Sequence, residues 1–151
     1  MSLAVTGCSS GMGAAFVTLI AKSGHRVVAT ARKISTLDYL ADGPNVLKLK
    51  LDVTSPADIS AVVAATVEKF GRIDVLINNA GYGLMGDFEA IPDVEARKEF
   101  ETNFWGPINM TREVLRVFRE VNPKGQGGTV VQVSSMGGFL GFPGGTFYHA
   151  R

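Results

Sequence analysis

The sequence predicts an α/β protein: a doubly wound parallel sheet in three layers, α/β/α, with helices on both faces. Three observations carry that prediction. Short aliphatic and β-branched runs alternate with longer runs at helical spacing, as strand–helix–strand units do. The strand runs are nearly all apolar, as expected of strands covered on both faces. The glycine-rich and polar interruptions fall after the carboxyl ends of these strands, where open α/β sheets bind ligands. The chain has 151 residues, one domain's worth, and can bury a sizeable core. No repeat, low-complexity tract or boundary divides residues 1–151.

Leu3, Ala4 and Val5 read as the end of a buried first strand. Met12 to Lys22 follows at helical spacing, with Phe16, Leu19 and Ile20 on one face and Gly24 placed to end the helix. Val27-Val28-Ala29-Thr30 is the second strand, joined by a right-handed crossover. Val46 to Leu51 is the third strand, leading into Asp52-Val53-Thr54. Ser55-Pro56-Ala57-Asp58 supplies an N-cap, a proline in the first turn and an acid behind it. Ile59, Val62, Val63, Thr66, Val67 and Phe70 then form one stripe, which Gly71 terminates. Ile73 to Ile77 is the fourth strand, a long helical pattern covers Val94 to Val121, and Thr129 to Val133 is the fifth strand. Met136 to Phe147 is glycine-rich and reads as loop.

Bulk properties exclude several classes. The formal net charge is +1, so no field favours nucleic acid or an anionic membrane. A single cysteine excludes an intramolecular disulfide framework and fits a reducing compartment. No apolar run approaches the ~18 residues of a membrane span, and no secretory signal opens the chain. The expected location is the cytoplasm. His25 and His149 are the only histidines, so no metal site is expected.

The first turn, Thr6-Gly7-Cys8-Ser9-Ser10-Gly11-Met12-Gly13, carries the first chemistry. Its glycines and serines leave the amides at a helix N-terminus open to an anion, and the helix dipole adds to the attraction. A dinucleotide pyrophosphate fits such a turn. The spacing is T-G-x-x-x-G-x-G rather than the common G-x-G-x-x-G. After the second strand come Arg32 and Lys33, with no acid before Asp38. An acid there would accept from a ribose 2′-OH, whereas cations favour a 2′-phosphate. The reading is NADP, with NAD as the alternative. Cys8, beside a helix N-terminus, is either a small space-filler or a thiol of lowered pKa. Pro107, four residues after Asn103, has no N–H to return to the Asn103 carbonyl, so a helix kink is expected there.

Four further elements complete a pattern. N-N-A-G at Asn78 to Gly81 follows the fourth strand, Asn103 lies in the long helix, Ser135 follows the fifth strand, and Tyr148 comes thirteen residues later. With T-G-x-x-x-G-x-G, these closely resemble the short-chain dehydrogenase/reductase family over almost the whole chain. The likeness is greatest to hydroxysteroid- and retinol-dehydrogenase-like members. The resemblance implies a Rossmann-like fold and an NAD(P)-dependent interconversion of an alcohol and a ketone or aldehyde. It assigns cofactor binding to Gly7, Ser9, Ser10, Gly11, Met12, Gly13, Arg32, Asp52, Val53, Asn79, Ala80 and Gly81, with Asp52 at the adenine edge. Tyr148 would be the acid/base, Ser135 would polarise the substrate oxygen, and the Asn103 carbonyl would hold a relay water. A free phenol is a poor base at neutral pH, and in the family a lysine four residues after the tyrosine supplies a cation.

That position lies just past Arg151, as do the family's last strands and helices. The resemblance therefore implies a C-terminally incomplete sheet, and a segment that by itself turns over almost nothing. Arg151, at i+3 from the tyrosine, is the one available substitute for the lysine. At full length a homo-oligomer acting on a small lipophilic alcohol or carbonyl is implied. The alternative is a non-catalytic nucleotide-binding or interaction module that kept the cofactor half.

Overall fold

The computed structural model describes residues 1–150, so Arg151 and its substitution for the lysine lie outside the described residues. The element order is β1 (Ser2–Val5), α1 (Gly11–Lys22), β2 (Arg26–Ala31), β3 (Val46–Lys50), α2 (Pro56–Phe70), β4 (Val75–Asn78), α3 (Asp93–Phe100), α4 (Gly106–Glu120), β5 (Thr129–Gln132) and α5 (Thr146–His149). All strand pairings are parallel, and the order across the sheet is β3-β2-β1-β4-β5. The order reverses between β1 and β4. This is the Rossmann-like α/β arrangement expected.

Strand alternation sorts the core into two layers. Leu3, Val5, Val27, Ala29 and Ala31 pack with Val17 and Ile20 of α1 on one face. Ala4, Val28 and Leu76 pack on the other with Ile59 and Val62 of α2 and Met110, Val114 and Phe118 of α4. Burying each such aliphatic side chain is worth about 1.5–3 kcal/mol. In α2 the Ser55 hydroxyl accepts from the Asp58 N–H at 3.2 Å, and Gly71 closes the helix at φ 76°.

Three expectations change. On α1, Ile20 is buried and Phe16 packs against the same layer as expected, with Gly13 and Val17 beside them, whereas Leu19 is 65% exposed. Close packing of Gly13 sets the rotation of the helix that turns Leu19 outward. The long helical pattern is not one regular helix: α3 and α4 are joined by a π-helical turn, Glu101–Trp105, in which the Gly106 N–H donates to the Glu101 carbonyl. Such wide turns cluster at functional sites. The glycine-rich stretch expected to be loop contains a 3₁₀ turn, Met136–Gly138, and the start of α5. β5 forms one edge of the sheet among the described residues, with three of its four residues exposed.

Candidate active site

The turn after β1 is sewn to both neighbouring strands. The Cys8 N–H donates to the Thr30 carbonyl at 2.8 Å, and the Tyr39 hydroxyl to the Cys8 carbonyl at 2.7 Å. Thr6, nearly fully buried, accepts on its hydroxyl from the Asn79 and Ala80 N–H groups at 3.0 and 2.9 Å. The Asn79 amide donates to the Thr6 and Gly7 carbonyls at 2.9 and 3.0 Å. A Cβ on Gly7 would lie 2.7 Å from the Ala80 Cα, and Gly7 sits at φ 70°. Two strand ends are thereby fused into one floor.

Above that floor α1 starts without a side-chain cap: Ser10 makes no such hydrogen bond. A Cβ on Gly11 would meet nothing within 4 Å. The first amides of the helix are thus left to an outside acceptor. They face a cavity of about 920 Å³, within the usual range for small-molecule sites. Of the residues predicted to bind a cofactor, Gly7, Ser9, Ser10, Met12, Gly13, Arg32, Asp52, Val53, Asn79, Ala80 and Gly81 all line it. Gly11 does not, although it begins the helix behind that lining. The residues present fit a dinucleotide: bare helix amides and the cation Arg32 line the same cavity.

Individual roles are sharper than the motif suggests. Asp52 accepts on Oδ1 from the Thr54 N–H at 2.9 Å and from its hydroxyl at 2.7 Å. The first of these, helped by the hydroxyl, Arg32 and Lys50, holds its carboxyl below the usual range. Asp52 therefore caps the local turn and lines the cavity at once. Val53 is a core side chain, packed beneath Gly106. Asn79 spends its amide bracing Thr6 and Gly7. Arg32 lines the cavity; Lys33 does not, and precedes the 3₁₀ turn Ile34–Leu37.

The lowered-pKa alternative for Cys8 is overturned. The thiol is fully buried, donates to the Val5 carbonyl at 3.2 Å, and is pushed up by burial to about 12. The thiol therefore stays protonated at pH 8. Iodoacetamide should leave the native protein unlabelled and modify it once urea unfolds the chain; rapid native labelling at pH 8 would contradict this.

A second cavity of about 370 Å³ adjoins the first, sharing Met12, Asn79, Ala80, Gly81 and Tyr82 with it. Asn103 and Tyr148 line it, and so does Ser134. Ser135 is not among its lining residues; its hydroxyl accepts from the Gly137 N–H at 3.1 Å, capping the 3₁₀ turn. That bond leaves the hydroxyl proton to donate elsewhere. The Tyr148 ring packs between Gly137 and Gly83: a Cβ on the first would lie 2.9 Å from Cε1, on the second 3.7 Å from Cε2. Asn103 sits in the π-helical turn with its side chain bonded to the Tyr82 backbone, accepting from N–H at 3.0 Å and donating to the carbonyl at 2.7 Å.

Sequence reasoning assigned no role to Thr6, Tyr82, Glu99 or Ser134. Thr6 stood in the turn motif and Tyr82 directly after N-N-A-G, so position alone marked both. Nothing in the spacing marked Glu99. Among the described residues no helix is long and apolar enough to cross a membrane, and no group of three or more His, Cys, Asp or Glu residues could hold a metal.

Comparison with known proteins agrees with this geometry. The oxidoreductase calM of Penicillium decumbens is 45% identical over 151 residues, covering 97% of this chain and 49% of that protein. 11-beta-hydroxysteroid dehydrogenase 1A of Arabidopsis thaliana is 36% identical over 153 residues, covering 97% and 42%. The chain thus spans about half the length of the curated relatives it matches. Among solved structures, 3-ketoacyl-(acyl-carrier-protein) reductase of Brucella melitensis complexed with NADH is 29% identical with a TM-score of 0.90, covering 99% of this chain and 63% of that one. The closed form of serine dehydrogenase complexed with NADP+ is 32% identical with a TM-score of 0.90, covering 99% and 60%. The family described as short chain dehydrogenase matches residues 2–151, and the chain belongs to it.

Proposed function

We propose that the chain is the cofactor-binding part of an NADP-dependent oxidoreductase that interconverts an alcohol with a ketone or aldehyde. The observation that carries this reading is the adjacency of the two cavities. One is floored by open helix amides, the other is walled by Tyr148, and Met12 and Asn79 to Tyr82 belong to both. The larger takes the dinucleotide: the amides at the start of α1 hold the pyrophosphate, Arg32 the 2′-phosphate, and Asp52 the adenine edge. The smaller takes the reacting carbon.

When bound, the nicotinamide supplies or receives the hydride. In the reducing direction the Tyr148 hydroxyl gives its proton to the substrate oxygen, so the C=O bond becomes C–H and O–H. Ser135, next to the lining Ser134 and with its hydroxyl proton left over from the Gly137 bond, turns that proton to the substrate oxygen as charge builds on it. The Asn103 carbonyl, which Pro107 cannot satisfy, holds a water that returns a proton to Tyr148. The substrate is a small lipophilic alcohol or carbonyl, in keeping with the apolar Phe104, Pro107 and Ile108 in the lining. A homo-oligomer in the cytoplasm is the setting this reading implies.

The test is the protein expressed at the full length of its gene and assayed with NADPH and NADH against a panel of ketones and aldehydes. Turnover with NADPH preferred supports the reading. Saturable binding without turnover would favour a non-catalytic nucleotide-binding module. Arg32→Glu should lower the NADPH-to-NADH preference by about 10²-fold, since a charge-assisted contact worth about 1.5–3 kcal/mol becomes a repulsion. An unchanged preference would remove Arg32 from the 2′-phosphate site.

A further inference from the structure

We propose that Glu99 is a positioning residue, a buried carboxylate that braces the wall between the two cavities and sets the Asn103 side chain on it. The proposal rests on the reading of those cavities given above. Glu99 lies in the last turn of α3, is 0% exposed, and is the one Asp, Glu, Lys or Arg that is buried among the described residues. Burying a carboxylate is costly and is weak evidence for stability in itself. An apolar side chain would fill the same space at lower cost. What it could not do is accept hydrogen bonds.

Those bonds go to the segment after β4 that carries Tyr82 and to Asn103 in the π-helical turn. Glu99 Oε1 accepts from the Leu84 N–H at 3.3 Å and from Asn103 Nδ2 at 3.2 Å. The second Nδ2 proton of Asn103 goes to the Tyr82 carbonyl, and its Oδ1 accepts the Tyr82 N–H. Both amide protons of Asn103 are thus committed, and its orientation is fully determined. The fit is tight: a Cβ on Gly81 would lie 2.9 Å from Asn103 Oδ1. Glu99 and Asn103 are four residues apart, across the junction of α3 with the π-helical turn, so the carboxylate also ties that turn to the 82–84 segment. Tyr82 lines both cavities. Without the acceptor at position 99, the Leu84 N–H and one Asn103 proton lose their partners, and the wall and the Asn103 backbone can drift together.

The experiment compares Glu99→Leu and Glu99→Gln in the full-length protein, following kcat, KM for a carbonyl substrate, NADPH affinity and amide hydrogen exchange. Glu99→Leu should lower kcat on the order of tenfold, the scale of a sub-ångström to ångström misplacement of catalytic groups. NADPH affinity should stay within about threefold, because the helix amides are untouched, and the Tyr82 and Leu84 amides should exchange faster. Glu99→Gln keeps an acceptor in the same place and should restore kcat to within about threefold, since charge-assisted hydrogen bonds are only about twice as strong as neutral ones. Unchanged kcat and exchange in Glu99→Leu would overturn the proposal, as would an equal loss in Glu99→Gln. Should Glu99→Leu fail to fold, wild-type exchange decides: protection at Tyr82 and Leu84 comparable to the strands supports the brace, and rapid exchange overturns it. A wild-type enzyme with no turnover would defeat the oxidoreductase reading, while the exchange measurement would still judge Glu99.

Discussion

Tyr148→Phe is expected to lower kcat by about 10³-fold, within the range contributed by positioned acid/base groups, while NADPH affinity changes by less than about twofold. The variant isolates chemistry from packing. The ring lies between Gly137 and Gly83, close enough to Gly137 that a side chain there would collide with it and in ordinary van der Waals reach of Gly83. Phenylalanine occupies that slot equally well, so the 3₁₀ turn Met136–Gly138 and α5 should keep their contact. Only the hydroxyl is lost, and with it the proton that the substrate oxygen receives. Cofactor binding depends on the amides at the start of α1, which line the larger cavity, whereas Tyr148 lines only the smaller. Single-turnover kinetics alongside a fluorescence titration with NADPH separates the two effects. Near-normal turnover in the phenylalanine variant would remove Tyr148 from the acid/base role; loss of NADPH binding instead would show that the ring supports the larger cavity.

How much of this was legible in the sequence depends on whether a feature is local. The Ser55 cap, the proline behind it and the Gly71 terminus are short-range signals, and each is in place. The positions of the turn after β1, Asp52, N-N-A-G and Tyr148 follow from strand order, because a parallel sheet brings every strand's carboxyl end to one edge. What a one-dimensional pattern does not carry is which side a residue faces once helices dock. Leu19 and Ile20 are adjacent in sequence, yet only Ile20 packs inward, because the approach of Gly13 to Gly7 sets the rotation of α1.

The π-helical turn was hidden for a related reason. Its one extra residue per turn leaves the spacing of Val94 to Val121 helix-like, and only Pro107 hinted at a break. The same limit explains Asn79 and Glu99. Asn79 stands in a motif associated with a ligand, but its amide braces neighbouring carbonyls. Glu99 sits in an ordinary charged helix sequence, and its partners at Leu84 and Asn103 become visible only when the loop after β4 folds over α3.

Gly13→Ala is expected to raise the NADPH Kd by about 10²-fold and to destabilise the fold by about 1–3 kcal/mol, the usual cost of overpacking a close-packed site. An added Cβ would lie 2.2 Å from the Gly7 carbonyl oxygen, 2.7 Å from Asn79 Nδ2 and 2.9 Å from the Gly7 carbonyl carbon. Two of those three atoms belong to backbone, and the third is pinned by its bonds to Thr6 and Gly7. No rotamer change relieves the clash, so the start of α1 must lift off the floor formed by Thr6, Asn79 and Ala80. Its amides then leave the position from which they reach a pyrophosphate. Losing about two charge-assisted hydrogen bonds, at about 1.5 kcal/mol each, gives the 10²-fold weakening. Gly11→Ala provides the control. Its Cβ would meet nothing within 4 Å, so only the left-handed backbone conformation at φ 55° resists it, at roughly 1–2 kcal/mol. A thermal melt and an NADPH titration of both variants distinguish the cases: Gly13→Ala should lose affinity out of proportion to its stability, and Gly11→Ala should not. Equal affinities in the two would mean that the close approach of α1 to the strand ends serves packing alone.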